Sequence, residues 1–243
     1  MTQEVNDQLV LITGESATGK SASLMNLPPK TMYLNCESGK RLPFRNKFET
    51  FVITDPYQIF EAFNHAQGNS DYDVIVIDTL TFLMDMFESQ YVLGSADTMK
   101  GWSNYQQFFK KLMQQYIAKS DKSVIILAHT KRELDDGEWA SCVPVKGALQ
   151  NNGIEAYFST VVSTKKVDLK ELADQDPALL DITPQDEALG YKHVFQTQVT
   201  KKTRKERIRA PMGMFAGNQV YMDNNAMKLL THLNEYYGIE AAA

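Results

Sequence analysis

The 243-residue chain is 43% hydrophobic and 23% charged with a formal net charge of −5, which excludes disordered, collagen-like and repeat proteins and does not mark a nucleic-acid binder. Its two cysteines have no paired spacing and the four histidines do not cluster with them, so we expect reduced thiols and no zinc site. The polar N-terminus and the lack of a run of roughly 20 apolar residues predict a soluble, cytoplasmic protein with no membrane partner.

Short apolar runs alternate with amphipathic ones through the first half of the chain. They predict strands at residues 8–13, 31–35, 51–54, 74–78 and 124–129, and helices at 20–27, near 59–63 and at 102–118. The strands are continuously apolar, which indicates a sheet covered on both faces. Alternation of strands and helices predicts an α/β fold with a mostly parallel central sheet flanked by helices.

The second half of the chain is less regular. The predicted elements are a helix at 148–156, a strand at 158–165, a C-terminal β-hairpin of strands 193–202 and 205–211, and a last helix at 224–237. Residues 168–190 form an acidic insertion, whereas 201–209 holds six basic residues. We predict one domain over residues 1–243, with its core at 9–211 and an extension at 212–243.

A phosphate-binding loop follows the first predicted strand. The residues that match G-x-x-x-x-G-K-[ST] are Gly14, Glu15, Ser16, Ala17, Thr18, Gly19, Lys20 and Ser21. Gly14 and Gly19 permit the backbone to curl around phosphates, toward which the following helix points its positive end. Lys20 should reach the β- and γ-phosphates and Ser21 should ligate magnesium, so the loop predicts ATP with Mg²⁺ as the bound group.

A magnesium partner is expected at the end of a neighbouring strand. The apolar run at 74–77 ends in Asp78, and its distance from the phosphate loop identifies it as the Walker B carboxylate, which holds the metal through water.

The order of further motifs resembles RecA-like ATPases over roughly residues 9–211. On that resemblance Glu37, after the second strand, is the catalytic carboxylate that polarises the attacking water. His129 takes the place of a polar γ-phosphate sensor, where RecA has an amide. The competing interpretations are an ordinary surface glutamate and a histidine at the edge of the core.

Residues 147–166 resemble the helix and strand that follow the second DNA-binding loop of RecA. Residues 205–211 resemble the RecA segment that reaches the neighbouring subunit's ATP, which would make Lys205 and Arg207 cations acting in trans. A basic β-hairpin face on the surface is the alternative. The resemblance is to the minimal RecA-core proteins of bacteriophages, which act in single-strand annealing and recombination, and implies the host cytoplasm if the chain is phage-encoded.

By the same resemblance, two loops at about 85–101 and 130–146 would bind single-stranded DNA. The second offers Lys131, Arg132, Trp139 and Lys146 for phosphates and bases, but it also holds four acidic residues. Assembly driven by ATP, or a single-strand-binding protein, could assist it. Phe44 is a candidate to stack on adenine, although a packing role suits it better.

The predicted function is therefore ATP hydrolysis in single-stranded-DNA recombination or annealing, by a ring or filament with active sites at its subunit interfaces. A nucleotide-gated loader or regulator that acts through a protein partner is the alternative. A small-molecule phosphotransferase would need an arginine-rich lid, of which the sequence shows no sign.

Overall fold

The computed structural model describes residues 6–135 and 137–239. Its strands are β1 (Leu9–Gly14), β2 (Thr31–Asn35), β3 (Glu49–Val52), β4 (Val74–Asp78), β5 (Ser123–His129), β6 (Lys131–Asp135), β7 (Glu138–Cys142), β8 (Thr160–Asp168), β9 (Tyr191–Gln196) and β10 (Tyr221–Asp223). Its α-helices are α1 (Gln58–Ala66), α2 (Leu80–Phe87), α3 (Thr98–Lys111), α4 (Leu149–Asn152), α5 (Leu169–Leu172), α6 (Pro184–Leu189) and α7 (Ala226–Tyr237). Short 3-10 helices lie at Ser21–Asn26, Ile117–Lys119 and Ile154–Tyr157, and π-helical turns at Glu88–Val92 and Leu112–Tyr116.

Eight of these strands form one sheet in the order β10-β9-β8-β1-β5-β4-β2-β3. The pairs from β8 to β3 are parallel, and β9 and β10 continue the sheet antiparallel at one edge. The remaining strands, β6 and β7, pair with each other as an antiparallel hairpin outside this sheet. The fold is that of a RecA-like P-loop NTPase, as predicted.

Both faces of the sheet are covered by hydrophobic core. Alternate residues such as Leu11 and Ile77 face one cluster, which α1, α2 and α3 complete, while Val10 and Val76 face a second cluster completed by α7 and Leu24. This arrangement explains the continuous apolar runs, because side chains on both faces of a strand must exclude water.

The longest predicted helix begins earlier than expected. Asp97 caps α3 by accepting a hydrogen bond from the Lys100 backbone N–H at 3.0 Å. The helix then continues through a π-helical turn and a 3-10 turn to Lys119. Residues 85–101, predicted as a DNA-binding loop, are therefore largely helical.

The predicted C-terminal strand pair is partly wrong. β9 pairs with β8 and with β10, whereas residues 205–211 contribute only isolated bridges, at Glu206 with Ser141 and at Arg209 with Val161. A turn held by the Thr203 hydroxyl, which accepts from the Thr200 N–H at 2.9 Å, carries the basic segment out of the sheet. Within this segment Ala210 packs against the second core cluster.

The acidic insertion and the C-terminal extension belong to the packed structure. Leu172 and Leu180 from the insertion form a small cluster with Val167 and Val194 of the sheet. From the extension, β10 joins the sheet and α7 buries its leucines against the second face. Across residues 6–135 and 137–239, every helix is too short or too polar to cross a membrane.

Candidate active site

The predicted nucleotide-binding residues meet at the carboxyl end of the parallel strands. Gly14 at the end of β1 lies beside His129 at the end of β5, and Asn35 at the end of β2 lies beside Asp78 at the end of β4. Glu37 follows β2 by two residues. Ligands of open α/β sheets bind at this edge, so the topology alone brings the motifs together.

The phosphate loop is tightly curled and braced from outside. Gly19 has a φ of 107° and Ala17 a φ of 61°, in the left-handed region that glycine enters without strain. The Thr18 hydroxyl bonds the Thr164 hydroxyl of β8 at 2.5 Å. The short helix predicted at 20–27 is a 3-10 helix, Ser21–Asn26.

Residues from the C-terminal part of the chain also hold this loop. The imidazole of His193 donates through Nδ1 to the Thr18 carbonyl at 2.8 Å, and the Asn224 amide donates to the Gly19 carbonyl at 2.9 Å. A Cβ on Gly19 would overlap the Asn224 amide. Sequence reasoning missed both residues because they lie far along the chain and carry no motif.

Lys20 points into the loop and is 5% exposed. Its ammonium donates to the carbonyls of Gly14 and Glu15 at 2.9 and 2.8 Å, and to His129 Nδ1 at 3.2 Å. Desolvation lowers the pKa of Lys20 to about 8, against the opposing influence of Asp78 and Glu37. Triphosphate oxygens would supply the negative charge that this buried cation lacks.

Ser21 and Asp78, the two predicted metal ligands, are in hydrogen-bond contact. The Ser21 hydroxyl donates to Asp78 Oδ2 at 3.0 Å, and Asp78 Oδ1 is buried without a hydrogen-bond partner in the described part of the chain. Burial raises the pKa of Asp78, with the carboxylate of Glu37 adding to the effect. An unsatisfied buried carboxylate oxygen next to a hydroxyl fits Mg²⁺ and its bound water, since Mg²⁺ prefers oxygen ligands.

Glu37 and His129 face each other across the cleft. His129 Nδ1 accepts from the Lys20 ammonium, which has no acceptor of its own, so Nε2 carries the proton and donates to Glu37 Oε1 at 3.2 Å. The other oxygen, Oε2, accepts from Lys40 at 2.8 Å. Burial alone would raise the pKa of Glu37, but these hydrogen bonds outweigh burial and hold it below its ordinary value.

These side chains line an open cleft of about 270 Å³. Its remaining wall includes Tyr33, Lys40 and Arg41, which carried no motif in the sequence. Phe44 does not line the cleft: it packs against the second core cluster, with its ring edge-on to Phe48 at 6.1 Å. This is the packing alternative for Phe44, and adenine stacking by Phe44 stays a prediction.

The hairpin of β6 and β7 begins two residues after His129 and replaces the predicted second loop. Trp139 is 66% exposed on it. Lys131 pairs with Glu133, and Arg132 pairs with Glu15 of the phosphate loop at 2.7 Å. Carboxylates thus neutralise both predicted DNA-binding cations on the hairpin.

Lys146 lies outside the hairpin. Its ammonium donates to both oxygens of Glu88 at 2.8 and 2.7 Å. Glu88 is itself buried at 9% exposure, so this ion pair holds Lys146 against the body of the domain. A DNA phosphate would have to replace Glu88 as its partner.

Arg207 lies against its own chain. Its guanidinium donates to the buried carboxylate of Glu155 at 3.0 Å, and Glu155 also accepts from the Val143 N–H at 2.8 Å. A Cβ at Gly153, which has a φ of 70°, would overlap this guanidinium. The predicted helix 148–156 is accordingly interrupted at Gly153. Lys205 lies two residues before Arg207 on the same segment.

In a comparison with protein families, the family model described as an AAA domain matches residues 6–200 of the chain. The match includes the phosphate loop, Glu37, Asp78, His129 and the hairpin, and ends before the basic segment. None of the curated proteins compared with the chain matches it.

Proposed function

The chain belongs to the AAA-domain family, and we propose that this P-loop ATPase hydrolyses ATP while acting on single-stranded DNA in annealing or recombination. The observation that carries the proposal is the position of His129. Its ring bonds both Lys20 and Glu37, and the chain then enters the exposed hairpin at Lys131. A change at the γ-phosphate can therefore reach the hairpin through two peptide bonds.

The chemistry of the site supports hydrolysis. Lys20 would bind the β- and γ-phosphates, and Ser21 and Asp78 would hold Mg²⁺, which neutralises charge on the triphosphate when bound. Glu37 would orient the attacking water and accept its proton. Each of its oxygens accepts one hydrogen bond here, from His129 and from Lys40, and each has a second lone pair that can accept from the attacking water.

The hairpin carries side chains that could bind the bases and phosphates of single-stranded DNA. Trp139 presents an exposed ring on which a base can stack, a contact that is tolerant of sequence. Lys131 and Arg132 are exposed, and phosphates can displace the weak surface ion pairs that now neutralise them. Lys146 would join only after leaving Glu88.

We further propose that the active site is completed by a second copy of the chain, in a ring or filament. Lys205 and Arg207 would then meet the neighbour's triphosphate. The segment that carries them runs along the hairpin, through the bridge of Glu206 to Ser141 and the ion pair of Arg204 with Glu138. DNA bound at the hairpin could thereby position these cations. A single-strand-binding protein would be the expected supplier of DNA.

The second candidate is a nucleotide-gated loader or regulator with a protein partner. The neutralised hairpin favours it, since the pairs Lys131 with Glu133 and Arg132 with Glu15 leave little net positive charge. In that case the exposed Trp139 would contact protein rather than bases.

ATP turnover with and without single-stranded DNA separates the two candidates. We expect DNA to bind and to raise the rate, and with three phosphate contacts its affinity should fall about 20-fold between roughly 50 and 200 mM salt. Duplex DNA at the same nucleotide concentration is the control. If single-stranded DNA neither binds nor stimulates hydrolysis, the recombination function is wrong and the regulator remains.

A further inference from the structure

Tyr33 is a buried residue of the cleft wall to which the proposed mechanism gives no part. It is 3% exposed and lies in β2, two residues before Asn35, the partner of Asp78 in the parallel register. Side chains two residues apart on a strand share a face. The ring of Tyr33 therefore reaches along the sheet toward the Asp78 carboxylate.

The two oxygens of Asp78 have different environments. Oδ2 accepts from the Tyr33 hydroxyl at 2.7 Å and from the Ser21 hydroxyl at 3.0 Å. Oδ1 is buried and, within residues 6–135 and 137–239, has no hydrogen-bond partner. Two donors on one oxygen fix the rotation of the carboxylate and leave the second oxygen available.

The ring and the hydroxyl of Tyr33 have separable roles. The ring belongs to the second core cluster, with Val74, Val76 and Leu24, and phenylalanine would pack there equally well. The hydroxyl adds only the bond to Asp78. A buried tyrosine hydroxyl needs a partner, and here that partner is the predicted metal carboxylate.

We propose that Tyr33 is a positioning residue that orients Asp78, so that Oδ1 is presented to the magnesium ion and its water. The inference rests on the proposed nucleotide function, and it requires neither DNA nor hydrolysis. Groups that orient a metal ligand typically change metal affinity by about 10- to 100-fold when removed. The hydroxyl of Tyr33 should therefore influence metal-dependent binding and leave metal-free binding alone.

The test is Tyr33→Phe, with binding of a fluorescent, non-hydrolysable ATP analogue measured across a Mg²⁺ titration and in EDTA. We expect the half-saturating Mg²⁺ concentration to rise about 10-fold or more, with unchanged affinity in EDTA. Tyr72→Phe is the matched control, because Tyr72 is equally buried and donates to the carboxylate of Glu49 outside the cleft. It should leave the Mg²⁺ titration unchanged.

Equal Mg²⁺ dependence in wild type and Tyr33→Phe would overturn the inference, and so would a loss of affinity that is the same with Mg²⁺ and with EDTA. A second comparison introduces Tyr33→Phe into Asp78→Asn, in which the hydroxyl of Tyr33 no longer has a carboxylate to orient. There the second change should have no further effect on Mg²⁺ dependence, and an added loss would contradict the proposal. A wild type that binds no nucleotide would instead refute the proposed function itself.

Discussion

The phosphate-loop cleft and the hairpin of β6 and β7 differ in whether their charged side chains are buried and whether they are paired. In the cleft, Lys20 and Asp78 are buried and their charges lack full compensation. Lys20 bonds carbonyls, and among the described residues nothing donates a hydrogen bond to Asp78 Oδ1. On the hairpin, Lys131 and Arg132 are exposed and already paired with carboxylates. The cleft is thus prepared for a ligand, whereas the hairpin must exchange its present partners to bind one.

This difference determines how strongly each region should respond to mutation. Buried, preorganised groups contribute large effects, because the protein excludes the water that would otherwise replace them. Exposed ion pairs contribute about 1 kcal/mol or less. Substitutions at the ATPase site should therefore lower kcat by orders of magnitude, whereas substitutions on the hairpin should change DNA affinity by tens of fold.

The largest effect is expected for Arg207→Ala, if the proposed shared site exists. Removal of a cation acting in trans should lower kcat by about 1,000-fold or more. Mixing Arg207→Ala with Lys20→Ala subunits should restore part of the activity, since some interfaces then combine an intact loop with an intact arginine. ATPase rates over a series of mixing ratios measure this recovery.

The alternative role of Arg207 makes a different prediction. As the partner of the buried Glu155 carboxylate, its loss would chiefly lower the melting temperature. Matched melting curves of wild type and Arg207→Ala check this. Destabilisation without recovery of activity at any mixing ratio would assign Arg207 to its own chain.

Glu37→Gln should lower kcat by about 100- to 10,000-fold, the usual contribution of a general base. The change preserves the shape of the side chain and one acceptor oxygen, so the affinity for ATP should remain. Single-turnover hydrolysis and analogue binding measure the two quantities separately. Replacing Glu49, a carboxylate on the neighbouring β3, by Gln is the control and should leave turnover intact. A Glu37→Gln protein with normal turnover would exclude Glu37 from the mechanism.

The same contrast explains what the sequence could predict. The cleft follows from parallel strands whose carboxyl ends meet at one edge, so Gly14, Asp78 and His129 could be placed together from apolar runs alone. Tyr33, His193 and Asn224 could not, because their contacts depend on register and on residues distant in sequence.

The basic segment 205–211 shows where pattern reasoning fails. Its alternating residues resemble a strand, yet β9 finds its second partner at Tyr221–Asp223 instead. Strand propensity reports a residue's fit to a half-buried surface, and partner choice depends on the whole sheet. The phenylalanine at position 44 was open to two interpretations for the same reason, since only tertiary packing decides between core and ligand.

At the hairpin, Trp139→Ala should weaken single-stranded DNA binding by about 5- to 150-fold, from the roughly 1–3 kcal/mol of one base-stacking contact. Trp139→Phe is the matched control and should retain most of the affinity, because it keeps an aromatic face. Fluorescence anisotropy of labelled DNA measures both variants. ATP turnover without DNA should be unaffected, since Trp139 lies outside the cleft. Equal binding by all three proteins would remove Trp139 from the DNA surface.

The smallest expected effect is on stability at acid pH. Because it is measured without turnover, it tests the hydrogen bonds of Glu37 separately from catalysis. Burial alone would raise the pKa of Glu37, but Lys40 and His129 hold it below the ordinary value of 4.5. The folded state therefore favours the ionised carboxylate, so the resulting stability is present above pH 4.5 and disappears as the pH falls through the lowered folded-state pKa. Melting temperatures of wild type and Glu37→Gln should accordingly converge over that range and stay furthest apart near neutrality. The melting temperature of Lys40→Gln should also approach that of wild type as the pH falls, but over a smaller difference, because Lys40→Gln removes one of the two hydrogen bonds to Glu37 and keeps the one from His129. If the melting temperatures of all three proteins change with pH in parallel, these hydrogen bonds do not stabilise the fold.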